Sequence, residues 1–343
     1  MRNTREGGGV VDGLEGWVER MSWLAGHILF GTSGSSGRPK WVCLSKRAIL
    51  RSAEAVNEHL EVTEADCWVR AIPDFHVGGL GIHARAWLGR NRVVVMEGIW
   101  DPAGFGLCCR LARATLSSLV PAQVYDLVEE GVRAPESLRA VLVGGGALGA
   151  TLYEEACDLG WPLVRTYGLT EAASQVATEG WNAALGVGED DGWLPVLSHW
   201  ETRVGEDEVL SIRGESLMTA YVEREAVAGW VRRDGMCDGW FRTGDRVELR
   251  GGKEGLTELR FLDREGDMVK VLGELVSLAN LRRRVYEYGR GLEVVGVQDE
   301  RLGTRLILVR EQNLAVEVAE ACFREVNGTV AGYERLQDIV EID

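Results

Sequence analysis

Seven of the ten residues in GTSGSSGRPK, Gly31 to Lys40, are glycine, serine or threonine, and the run closes on a lysine. Gly31, Gly34 and Gly37 permit the positive φ angles that turn successive backbone N–H groups inward, and Thr32, Ser33, Ser35 and Ser36 add hydroxyl donors. Lys40 contributes a point charge beside them. Such a set suits a phosphate, and the same residues also suit a structural turn. The spacing is not G-x-x-x-x-G-K-[ST], because Arg38-Pro39 precede the lysine, nor is it the G-x-S-x-G nucleophile elbow. A second glycine cluster, AVLVGGGALG, sets Gly144, Gly146 and Gly149 in the order G-x-G-x-x-G. Dinucleotide binding would also need a carboxylate at the end of the next strand, and PLVRTYG ends in Arg165, Thr166 and Tyr167. TYGLTE then gathers a ring, a hydroxyl and a carboxylate, Tyr167, Thr170 and Glu171, within one short segment. Asp245 in RTGD and His76 in PDFHVGG complete the candidates. Their plainer readings are a turn aspartate and a satisfied structural histidine.

These residues need elements to hold them. From His27 to about Thr166, β-rich runs (HILF, WVRAI, RVVVM, TLSSLV, RAVLV, PLVRT) alternate with helical patterns, which implies crossover connections and a largely parallel, covered sheet. HILF and WVCLS flank the glycine-serine run so closely that a flexible linker is a poor reading of it. From about Leu197 the texture becomes antiparallel, with EVLSIR, WFRTGDRVELR and LTELRFLDR separated by turns. After Asp263 an amphipathic helix (VSLANLRRRVYEYG), two strands (LEVVGVQD, RLILVR) and a last helix from Val316 to Asn327 predict a small α+β unit of roughly 80 residues. The fold class read from this pattern is α/β, with a large domain over 1–263 and a small C-terminal domain over 264–343.

The composition narrows the classes further. With 343 residues, 45% of them hydrophobic, the chain can bury a full core, and a net charge of −15 argues against a general nucleic-acid or anionic-membrane surface. The seven cysteines form no C-x-x-C pair and no histidine stands at metal-ligand spacing, so they read as reduced thiols in a cytoplasmic protein. The N-terminal MRNTREGGGVVDGLEGW lacks an apolar core, and no apolar run has membrane length.

Taken together, GTSGSSGRPK, TYGLTEAAS, GWFRTGDRVEL and LDREGDMVKVLGELV occur in the order and approximate spacing of the adenylate-forming superfamily of acyl- and aryl-CoA ligases, which the chain resembles from about residue 27 to 343. PDFHVGGL, SLMTAYVERE and VVGVQDERLG extend the resemblance, and YGLTEAASQVAT with FHVGGL is most similar to the o-succinylbenzoate-CoA ligases of menaquinone biosynthesis. The resemblance implies a shortened adenylate-forming fold and a two-step reaction using ATP, CoA, a carboxylic acid and Mg²⁺. It implies that Thr32, Ser33, Gly34, Ser35, Ser36, Gly37 and Lys40 wrap the outer phosphates, and that Tyr167 stacks on adenine. It further implies that Thr170 donates to the α-phosphate and that Glu171 holds Mg²⁺, with Gly144, Gly145, Gly146 and Gly168 in the nucleotide pocket. Asp245 and Arg264 are implied for the ribose, and His76, Gly78, Gly79, Ser174 and Gln175 for the acyl substrate. Gly266 stands where the family has its hinge acid, followed by Asp267.

Two departures accompany the match. The Gly/Ser loop lies much further from the start in most members, so much of an N-terminal subdomain is expected to be missing here, with the acyl and CoA sites more open or completed by a partner chain or second copy. YERLQDIVEID resembles the approach to a P-x-T-x-x-G-K segment whose lysine serves adenylation, and Lys270 belongs to the face that the family presents for thioester formation. Slow adenylation, or an alternative cation, is the expectation. The readings carried forward are an o-succinylbenzoate-CoA ligase, a CoA ligase for another aryl or fatty acid, and an ATP-binding pseudoenzyme or assembly subunit. An NAD-binding protein stands behind these.

Overall fold

The computed structural model describes residues 14–342 apart from 33–39, 147, 181–191, 226–227, 253–254, 266–267, 289–290 and 313. Ser33, Gly34, Ser35, Ser36 and Gly37, and likewise Gly266 and Asp267, lie outside the described residues.

Strands Cys67–Arg70, Leu116–Leu119 and Ala140–Val143 are buried almost throughout, as strands covered on both faces must be. They form the centre of a six-stranded sheet whose spatial order runs Arg92–Val95, Cys67–Arg70, Leu116–Leu119, Ala140–Val143, Leu163–Leu169 and Ser174–Thr178. Every pairing is parallel except the last. Helices Lys46–His59 and Val77–Gly89 contribute to the core on one face, and helices Pro102–Ala112, Pro121–Glu129 and Ala150–Asp158 to a second core on the other. The first of these helices is capped by Ser45, whose hydroxyl accepts from Ala48 N at 3.0 Å, while Pro102 and Pro121 open two others where no N–H is needed.

HILF corrects the sequence reading. Strand His27–Thr32 is not part of the parallel series but pairs antiparallel with Lys40–Ser45, from His27↔Ser45 to Thr32↔Lys40. The physical reason is the connector: a parallel crossover needs a dozen residues or more, and only residues 33–39 separate the two strands. The glycine-serine run is therefore the connection of a hairpin, which joins Ala220–Glu225 and Gly229–Arg233 in a four-stranded antiparallel sheet. A third sheet, also antiparallel, contains Glu201–Val204, Val209–Arg213, Trp240–Gly251 and Thr257–Arg264, matching the texture read after Leu197.

Beyond Arg264 the chain builds a separate core from Val271, Val276, Leu281, Val294, Leu306, Leu308, Cys322 and their neighbours. Three strands there were not read from sequence. Met268–Val271 and Glu274–Ser277 form a hairpin turning at Leu272 and Gly273, with φ of 52° and 81°, the pair of positive angles a tight two-residue turn demands. Asp338–Ile342, within YERLQDIVEID, pairs in parallel with Gly303–Glu311. All seven cysteines are unbridged. Among the described residues no helix is long and apolar enough to cross a membrane.

Candidate functional site

The carboxyl ends of the parallel strands, the hairpin at Thr32–Lys40 and the Leu272–Gly273 turn converge on one cleft of about 480 Å³. Ligands in open α/β sheets bind at this edge because the strand ends and helix N-termini there leave backbone groups free to receive them. Thr32, Lys40, His76, Gly78, Gly144, Gly145, Gly168, Thr170, Glu171, Ser174, Gln175 and Arg264 all line it, so most of the described candidates meet in one place.

Three glycines are required by geometry. A Cβ on Gly144 would stand 2.4 Å from Thr166 Oγ1, which itself donates to Val143 O at 3.0 Å. A Cβ on Gly168 would meet Ser174 O at 1.9 Å, where the pairing of Leu163–Leu169 with Ser174–Thr178 shifts register. Gly79 corrects its expected role: its Cβ position is 2.2 Å from Pro73 O, so it is a packing glycine that lets its helix close on the preceding loop, and it does not line the cleft. Between the two strands, Ala173 and Ser174 take φ of 55° and 129°, a strained turn that presents Thr170 and Glu171 on one side and Ser174 on the other.

The phosphate-suited groups lie together. Lys40 Nζ is 3.6 Å from Glu171 Oε1, and Tyr221 donates its hydroxyl to the same oxygen at 2.7 Å. Glu171 Oε2 has no partner among the described residues, leaving it open to a hard cation. Among the described residues no cluster of three or more His, Cys, Asp or Glu could hold a metal by itself. One open carboxylate oxygen fits Mg²⁺ that arrives with phosphate oxygens.

Behind the lining, Asp245 is 3% exposed and both its oxygens are engaged, Oδ1 by Arg264 Nη1 at 2.9 Å and Oδ2 by the Tyr167 hydroxyl at 2.7 Å. The register sets this up, since Asp245 and Arg264 are opposed across adjacent strands. Tyr167 is 7% exposed, with its ring 6.1 Å from Phe261 and its phenol pushed well up by burial and then by Asp245. Its ring does not line the cleft in this arrangement. Gly146, packed near Pro121, also stands outside the lining. Lys270 lines the cleft from the C-terminal unit, its ammonium held below the usual lysine range by desolvation. That unit is held against the large one by Arg301, which donates from Nε to Asp126 Oδ1 at 2.9 Å, and by His76 with Glu274 at 3.7 Å. His76 thus stands at the seam between the two units as well as in the lining.

Sequence reasoning missed Arg85. It stands on the buried face of helix Val77–Gly89, 2% exposed, and lines the cleft floor. Its Nη1 reaches Ser118 Oγ at 3.5 Å and its Nη2 Ser174 Oγ at 3.4 Å, while Nε has no partner. No carboxylate of the described residues pairs with it, and burial pulls its pKa down to about 10, so it remains a cation at neutral pH. The available signal was an arginine in an apolar run, LGIHARAWLG, at a position sharing a helix face with Gly81 and Ile82.

The family model described as AMP-binding enzyme matches residues 28–221. A 2-succinylbenzoate--CoA ligase from Bacillus cereus is 30% identical over 299 residues, covering 83% of this chain and 60% of that protein. Among solved structures, o-succinylbenzoate CoA synthetase from Bacillus subtilis, as a double mutant bound with its product analogue OSB-NCoA, is 26% identical with a TM-score of 0.74 over 92% of this chain and 65% of that one. The Bacillus subtilis enzyme in complex with ATP and magnesium ion is 25% identical with a TM-score of 0.61, over 92% and 66%. The chain spans about 60% of the length of the curated relatives it matches.

Proposed function

This chain belongs to the AMP-binding enzyme family, and from that premise we propose that it is an ATP-dependent acid-CoA ligase acting on o-succinylbenzoate. The observation that carries the reading is Arg85, a buried guanidinium without an acidic partner, in the same cleft as Lys40, Thr170 and Glu171. An uncompensated buried cation is costly unless an anion completes it. A dicarboxylic substrate does so, offering one carboxylate to Arg85 and the other to the phosphate side. The substrate named for the relatives, 2-succinylbenzoate, is an acid of that kind.

In the first step a carboxylate oxygen attacks the α-phosphorus of ATP, forming the acyl-adenylate while pyrophosphate leaves with the electrons of the broken P–O bond. In the second the CoA thiol, losing its proton, attacks the acyl carbon and AMP departs. The residues between Thr32 and Lys40 hold the outer phosphates and Thr170 donates to the α-phosphate. Glu171 holds Mg²⁺, which supplies charge neutralisation when bound. Gly144, Gly145 and Gly168 leave room for the nucleotide; Asp245 and Arg264 serve the ribose, and Tyr167 braces Asp245 through its hydroxyl. His76, Gly78, Ser174 and Gln175 join Arg85 around the acyl group. Residues 264–343 act as a mobile domain on the large domain, 1–263. The higher TM-score against the product-analogue complex than against the ATP complex supports reading the present arrangement as that of the second step.

The test is to incubate the protein with ATP, Mg²⁺, CoA and a panel of acids, following pyrophosphate, AMP and acyl-CoA separately. Acyl-CoA from o-succinylbenzoate is expected. Turnover of monocarboxylic acids in preference to it would overturn the substrate, and ATP binding without turnover of any acid would overturn the activity.

A further inference from the structure

We infer that Tyr221 is a positioning residue of this site, setting Glu171 to present one oxygen to Mg²⁺ while keeping Lys40 beside the outer phosphates. The inference rests on the ATP-dependent reading above. Strand Ala220–Glu225 pairs with Lys40–Ser45 in the register Tyr221↔Val42 and Glu223↔Lys40. Alternation along a strand then sets Tyr221 and Lys40 on the same face as diagonal neighbours. Lys40 Nζ accordingly lies 3.9 Å from the centroid of the Tyr221 ring, close enough for attraction to its negative face.

The same side chain reaches Glu171 with its other end. The Tyr221 hydroxyl donates to Oε1 at 2.7 Å, and Lys40 Nζ is 3.6 Å from that oxygen. Glu171 is also fixed through its backbone, where its carbonyl accepts from Met218 N at 2.8 Å. With Oε1 held by the phenol, the carboxylate cannot rotate to offer both oxygens, and Oε2 is the one left for a metal. The ring cannot swing away readily: Tyr221 is 9% exposed, and a Cβ on Gly235 would stand 2.7 Å from its Cε2. The phenol O–H is the only group of this pair that can donate, since the ionised carboxylate only accepts. When ATP arrives, Lys40 exchanges Glu171 for phosphate oxygens without leaving the ring, and the phenol keeps the carboxylate in place for the metal.

The experiment measures ATP binding by calorimetry, without magnesium and across a magnesium titration, for the wild type, Tyr221→Phe and Tyr221→Leu. Tyr221→Phe keeps the ring and removes the hydroxyl. We expect unchanged metal-free ATP affinity and a magnesium concentration for half-maximal tightening that rises about tenfold, equivalent to about 1.4 kcal/mol. Tyr221→Leu removes the ring as well and is expected to weaken metal-free ATP binding too. A Tyr221→Phe variant with the wild-type magnesium dependence overturns the inference while leaving the ligase reading intact. A wild type that binds no ATP under either condition overturns the ligase reading, and this inference with it.

Discussion

Replacing Arg85 by methionine should make the protein more stable and a worse enzyme for dicarboxylic acids. Burial lowers the Arg85 pKa from 12.5 to about 10, a displacement that at 1.36 kcal/mol per unit amounts to about 3 kcal/mol of disfavoured charge in the folded state. The two hydroxyl contacts, at 3.4 and 3.5 Å, are long and return little of it. Methionine fills a similar volume with no charge, so thermal unfolding should rise by roughly 1–2 °C for each kcal/mol recovered. A substrate carboxylate that lost this partner would forfeit about 2–5 kcal/mol, or about 30-fold to several thousand-fold in kcat/KM. Monocarboxylic analogues, having no second carboxylate to lose, should be hardly affected. The assay pairs unfolding curves with kcat/KM for a dicarboxylic acid and its monocarboxylic analogue. A variant that melts lower and discriminates between the two acids as the wild type does would refute the reasoning, because Arg85 would then be a structural group.

Lys40→Ala should lower kcat/KM for ATP about 10²-fold while the chain still unfolds cooperatively, its ion pair with Glu171 and its contact with the Tyr221 ring being lost together; unaltered kinetics would remove it from the phosphate site. Arg301→Ala should slow thioester formation relative to adenylation by about two- to five-fold, the worth of a half-exposed pair of about 0.5–1 kcal/mol, and equal effects on both steps would argue against its holding the two units together. Both ring nitrogens of His199 are buried without a partner, and burial, then Arg51, push its pKa down to about 4. The unfolded chain takes up that proton near pH 6.5 and the folded one resists it, so stability should fall as pH drops from about 6.5 to 4, by up to about 3 kcal/mol. His199→Phe should flatten that slope in urea unfolding across the same window, and an identical slope would assign the acid sensitivity elsewhere.

How far the chain could be read from its sequence depended on whether the determinants were local. Thr170 and Glu171 stand on consecutive residues, and Asp245 with Arg264 each belong to a short motif, so their meeting in or beside one cleft was legible before any fold was known. Arg85 was not legible because its significance arises from what surrounds it: Ser118 and Ser174 come from distant strands, and only the folded sheet leaves it without a carboxylate partner among the described residues. Tyr221 was hidden for the same reason, its partners being Lys40 and Glu171, far away in the chain. The His27–Thr32 hairpin shows the opposite case, where the short connector carried the answer and the alternating pattern of strands and helices outweighed it. Gly79 was assigned by its neighbourhood in a motif, while its space is decided by Ile72 and Pro73 carbonyls.

Transfer of labelled oxygen tests the central proposal most directly. With o-succinylbenzoate carrying heavy oxygen in its carboxylates, attack on the α-phosphorus followed by thiol displacement must leave one substrate oxygen on AMP. The account predicts labelled AMP in equal amount to o-succinylbenzoyl-CoA, with unlabelled pyrophosphate. Unlabelled AMP, or ADP with labelled phosphate, would contradict it.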